Sequence, residues 1–79
     1  MTDADITRRA RAALAALVPF EHKIFRQVCG FAEAQPWGAA VGAAMEALQG
    51  KGLIDDAWRP ATPLGREAQR LLREESPLA

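Results

Sequence analysis

Apolar residues recur along the chain at helical spacing in four places. Ile6, Ala10, Leu14 and Leu17 are separated by four, four and three positions. That spacing predicts a first helix from about Asp3 to Leu17, with one apolar face. Thr2 or Asp3 can cap it, because a short side-chain oxygen accepts a bond from a free N–H of the first turn. Pro19 closes it, since the proline ring disfavours helical geometry in the residue before it. Ile24, Phe25, Val28, Phe31 and Ala32 form a second stripe, which predicts a helix from Phe20 or Glu21 to Ala34. Gly30 weakens that helix or marks an early end. Val41, Ala44, Met45 and Leu48 make the third stripe, from Pro36 or Trp37 to near Gly50. Gly50 and Gly52 stop it. Leu53–Ile54 then reads as a short strand, Asp55–Ala57 as a turn, and Trp58–Ala61 as a returning edge strand limited by Pro60. Thr62 caps a last helix that has Pro63 in its first turn and Leu64, Ala68, Leu71 and Leu72 facing inward. The expected fold class is mainly α with a short β hairpin.

Length sharpens this picture. The 79 residues suit one domain over 1–79, with loose ends at 1–3 and 76–79. A doubly wound sheet or an α/β barrel needs more chain. Alanine, at 17 residues, supplies much of the 49% hydrophobic content, so the core is small. Dimerisation would add buried area to it. A single cysteine cannot form a disulfide within the chain. No charge-free stretch approaches the roughly 20 residues that span a bilayer, and no signal-peptide pattern opens the chain. The expectation is a cytoplasmic protein without a membrane partner.

The run from Met45 to Leu72, MEALQGKGLIDDAWRPATPLGREAQRLL, is the most distinctive segment. A helix end leads into Lys51-Gly52-Leu53-Ile54, and Thr62-Pro63-Leu64-Gly65-Arg66 opens the next helix. This order resembles winged helix-turn-helix proteins, particularly bacterial regulators of the multiple-antibiotic-resistance type. In those proteins a recognition helix ends in a KGLI turn, a β wing follows, and a T-P-x-G-R segment begins the next helix. The resemblance spans roughly residues 20–75. It implies three helices, a small wing and a closing helix, with the third helix in the major groove of double-stranded DNA. It also implies a transcriptional regulator that works as a dimer, as is usual for readers of paired half-sites. Lys23, Arg26, Gln49, Lys51 and Arg59 are the expected DNA contacts, mainly to phosphates. Arginine outnumbers lysine 8 to 2, as in a GC-rich bacterial coding sequence.

Charge and side-chain size support a different reading of the same architecture. The formal net charge is zero, so there is no overall surplus with which to neutralise phosphates. Asp55 and Asp56 occupy the expected wing tip. The outward positions of the third helix are small: Gly38, Ala39, Gly42 and Ala43, with Trp37 beside them. Small residues four apart allow another helix to approach closely. The alternative is therefore a winged-helix module that binds protein through Trp37, Gly38, Ala39, Gly42 and Ala43, with Trp58 as an addition. That partner is either a second copy or a different protein.

Candidate chemistry is sparse. His22 and Cys29 stand seven apart, two helical turns from contact, so they form no nucleophilic pair. Neither has a second residue of its kind for zinc. The glycines at 50 and 52 lack the lysine–hydroxyl ending of a phosphate loop. The sequence predicts no catalytic residues, no metal ligands, no cofactor and no enzymatic activity.

Overall fold

The computed structural model describes residues 2–75. Thr2 is extended, and its hydroxyl accepts a bond from the Asp5 N–H at 3.2 Å, starting α1 (Asp3–Ala16). Asp3 and Asp5 lie in the first turn, where negative charge complements the helix dipole. Thr2 and Asp3, expected to be loose, are thus held by this cap. Met1 and residues 76–79 lie outside the described residues. Pro19 does more than end α1: it is the first residue of α2 (Pro19–Val28). Its missing N–H would have been unpaired there in any case. Val18 has no side-chain acceptor, but the Glu21 carboxylate reaches back to accept the Val18 N–H at 3.2 Å. The remaining elements are α3 (Ala39–Gly50) and α4 (Pro63–Glu75). α1 packs on α4, and α2 packs on α3.

α2 stops six residues before the expected Ala34, for a local reason. Gly30 sits at φ +85°, the left-handed region open to glycine. Its N–H bonds to the Gln27 carbonyl at 3.1 Å, and the Phe31 N–H bonds to the Arg26 carbonyl at 2.9 Å. This is the Schellman pairing that closes a helix. α3 ends identically. Gly52 lies at φ +78°, its N–H on the Gln49 carbonyl and the Leu53 N–H on the Leu48 carbonyl, both at 3.0 Å. The start of α3 also differs from the expectation. The helix begins at Ala39 with Gly38 as its cap, not at Pro36 or Trp37, and the Trp37 indole lies over Gly42. Residues 29–38 therefore separate α2 from α3. A helix-turn-helix typically joins its helices with a turn of about three to four residues, shorter than this connection.

The hairpin is absent as well: no strand occurs among the described residues, and the fold is four helices. The expected class, mainly α with a β wing, is corrected to all-helical. The Leu53 N–H that a ladder would use is already committed to the α3 cap. One cross-bond does form, from the Asp55 N–H to the Arg59 carbonyl at 2.9 Å. The Asp55 carboxylate then gathers the N–H groups of Ala57 at 2.9 Å and Arg59 at 3.0 Å. Such side-chain-to-backbone bonds compete with sheet pairing. Trp58 at φ +62° breaks the extended run, and Pro60 has no N–H to offer. Leu53 and Ile54, expected on a strand, are instead buried in the core at 0% and 2% exposure.

Core packing converges where α4 begins. The Thr62 hydroxyl donates to the Gly52 carbonyl at 2.7 Å and accepts from the Gly65 N–H at 2.9 Å. One side chain thereby joins the end of α3 to the start of α4. Gly65 is pressed onto the Leu53 backbone: a Cβ there would stand 2.1 Å from the Leu53 carbonyl oxygen. Further along α4, Ala68, Leu71 and Leu72 meet Ile24, Phe25 and Leu48 in one cluster. At the other α4 face, Glu67 accepts from the Thr7 hydroxyl of α1 and from Arg70 at 2.7 Å. Arg70 also reaches Glu74 at 2.7 Å.

Two expectations follow. Gly65→Ala forces backbone apart and costs about 3 kcal/mol, whereas Thr62→Ala loses a cap and costs about 1–2 kcal/mol; urea unfolding midpoints separate the two. The hydrogen bonds from Arg70, and then from Thr7, hold the Glu67 carboxyl down at about 2, from an ordinary 4.5. A depressed carboxyl contributes stability above its unfolded-state pKa and loses it as pH falls through the folded one. Wild type therefore loses a contribution between about pH 4.5 and 2 that Glu67→Gln lacks from the start. Acid titration of the two proteins by circular dichroism checks this.

Candidate functional site

The expected DNA contacts fall on three elements. Lys23 and Arg26 lie on α2, Gln49 lies in the last turn of α3, Lys51 caps that helix, and Arg59 follows the 55–58 turn. Lys23 and Arg59 are exposed, and Arg26 is half-buried. Lys51 and Gln49 are tied to acidic residues. The Lys51 ammonium stands 3.8 Å from the Glu21 oxygen that also receives the Val18 N–H. The Gln49 carboxamide donates to Asp56 at 2.8 Å, tying α3 to the following turn. Asp55 is turned onto backbone N–H groups and does not form the tip of a wing.

A different surface is assembled around the tryptophans. Trp37 is 65% exposed, an unusual state for so large an apolar side chain. Its ring lies 5.1 Å from that of Trp58, tilted by 41°. Its other neighbour is Gly42, where a Cβ would come 3.4 Å from the indole. Gly42 thus lets the indole lie close to the α3 backbone. A hollow of about 260 Å³ opens between the rings, α2 and α3, with Val28, Val41 and Met45 on its walls. The Gln27–Gln35 carboxamide bond, 3.3 Å long, edges it. Along α3, Ala39 and Ala43 are exposed, while Gly38 and Gly42 are half-buried. Of the residues expected of a protein interface, the structure sets Trp37 against Gly42 and against Trp58, the expected addition, while Gly38, Ala39 and Ala43 lie at or near the start of the same helix. Met45 and Gln35 were not anticipated at this site. Met45 falls on the core stripe of α3, and nothing in the sequence marks Gln35.

Cys29 is buried at the end of α2, and desolvation pushes its thiol up to about 12, against the opposing charges of Arg26 and Arg73. It stays protonated at neutral pH and is a poor nucleophile. Among the described residues no group of three or more His, Cys, Asp or Glu could hold a metal ion. No helix among them is long and apolar enough to cross a membrane. Compared with protein-family models, curated proteins and solved structures, the chain finds no significant match.

The two tryptophans are expected to separate on mutation. Trp58 packs against the core cluster, so Trp58→Ala costs about 2 kcal/mol of stability. Trp37 is mostly in solvent, so Trp37→Ala costs under about 1 kcal/mol. Thermal melts of the single variants measure the difference.

Proposed function

We propose that this protein works by binding protein, with the Trp37 surface of α3 as its contact face and a second copy of the chain as its occupant. The observation that carries the reading is the exposed Trp37 indole, seated on Gly42 and braced by Trp58. A large aromatic group held rigidly in solvent is the usual anchor of a protein interface, since little side-chain freedom is lost on contact. Self-pairing suits its surroundings. A two-fold interface applies one patch to itself. Here the patch has a projecting ring beside the low Ala39 and Ala43 positions, so each copy offers a knob and a flat bed. No charged residue interrupts α3 from Ala39 to Met45, which spares the contact the desolvation of a buried charge.

Double-stranded DNA is the weaker reading. Gln49 and Lys51 already have partners, and the net charge is zero. Lys23 and Arg59, both exposed, are what remains in its favour. Sedimentation equilibrium is the deciding measurement. Ala39→Arg places a charge in the contact twice per dimer and is expected to weaken self-association by about tenfold or more, with the fold unchanged by circular dichroism. Wild type that stays monomeric at all accessible concentrations, or an Ala39→Arg variant that pairs as wild type does, overturns the proposal. Salt-dependent binding to a DNA duplex that is lost in Lys23→Ala with Arg59→Ala replaces it with the DNA reading.

A further inference from the structure

A second hollow, lined by none of the residues around the tryptophans, lies between α1 and the start of α4. It measures about 340 Å³ and is lined by Ile6, Arg9, Gly52, Thr62, Pro63 and Leu64. That is within the size of small-molecule sites, roughly 300–1,000 Å³. Its walls are carbon: the side chains of Ile6, Pro63 and Leu64, and the bare Cα of Gly52. Gly52 is left-handed, and a Cβ there would stand in ordinary contact with Leu64 at 3.7 Å. The Thr62 hydroxyl at its edge is occupied by the Gly52 carbonyl and the Gly65 N–H.

One charged group remains. Arg9 is exposed, and no hydrogen bond or ion pair engages it among the described residues. Its neighbour Arg8 is closed by Asp5 at 2.8 Å. No carboxylate lines the hollow. Arg9 lines this carbon-walled recess through its aliphatic stem, and the guanidinium that the stem carries complements a ligand with one anionic head and an aliphatic tail. Arginine is suited to a carboxylate because its planar N–H groups donate to both oxygens at once.

We propose that this hollow binds a medium-chain aliphatic carboxylate. The tail lies along Ile6, Pro63 and Leu64, and the head accepts hydrogen bonds from Arg9. The site shares no residue with the Trp37 surface, so each proposal stands or falls alone.

Amide NMR titrations of the intact chain with octanoate, octan-1-ol and octylammonium test it. Octanoate is expected to give saturable shifts at the Ile6, Gly52 and Leu64 amides. Octan-1-ol, with the same tail and no charge, binds about tenfold more weakly, and octylammonium gives no saturable shift. Arg9→Gln lowers octanoate affinity by about tenfold, and Arg9→Lys retains binding within a few-fold. Arg9 is exposed, and the dispersion of the same spectra verifies that each variant folds. Absence of saturation with octanoate, equal affinity for all three amphiphiles, or an Arg9→Gln variant that binds as wild type does overturns the proposal. Shifts at the same amides on concentrating the protein without ligand assign the hollow to a second copy and overturn it too.

Discussion

The tightest glycine position is backbone on backbone, where Gly65 of α4 meets the carbonyl of Leu53. Only a residue without a Cβ fits, because the nearest heavy atom would be 2.1 Å from it. Leu53 is itself fixed by the cap of α3, and Thr62 bridges Gly52 to Gly65. The direction of α4 is therefore set by groups that belong to the end of α3. Once that direction is set, Ala68, Leu71 and Leu72 face the core, and Glu67 faces Thr7 of α1. A small domain with few large apolar residues gains from such a joint, since tight packing adds dispersion contacts that loose helices would forgo.

The passage from Gly52 to Thr62 does without strands the work a hairpin would do. It reverses the chain, buries Leu53 and Ile54, and satisfies its peptide groups through caps, one cross-bond and the Asp55 carboxylate. Trp58 adopts a left-handed conformation within this turn. Such a conformation is costly for a bulky residue and persists where neighbouring contacts hold it. Here the Trp58 N–H bonds to the Asp55 carbonyl at 2.9 Å, and the indole packs against Trp37. The exposed aromatic surface thus rests on the same turn that replaces the wing.

Periodicity and capping made the helices legible. The stripes of α1 and α4 face inward as their spacing indicated, and Thr62 caps α4 with Pro63 in its first turn. Where the reading departed, local hydrogen bonding outweighed hydrophobic pattern. Phe31 and Ala32 continue the stripe of α2, yet Gly30 ends the helix before them. Leu53 and Ile54 have strand-like character, but the N–H of Leu53 belongs to a helix cap. At the candidate interface, the sequence marked Trp37 and the small residues of α3 through their spacing. The pairing of Trp37 with Trp58 has no such mark, because it depends on how two loops meet. Asp55 and Asp56 read as like charges at an exposed tip, whereas one carboxylate organises the turn and the other holds Gln49. Charge counted along a chain carries no information about which backbone groups a carboxylate will find.

Gly30 and Gly52 give α2 and α3 the same ending, each encoded within a few neighbouring residues. Stop signals of that kind operate before distant parts of the chain have met. The lengths of both helices are thus decided early, and sliding one along the other by a turn would leave their termini mismatched. With mostly local structure to form, the search for the native state is short.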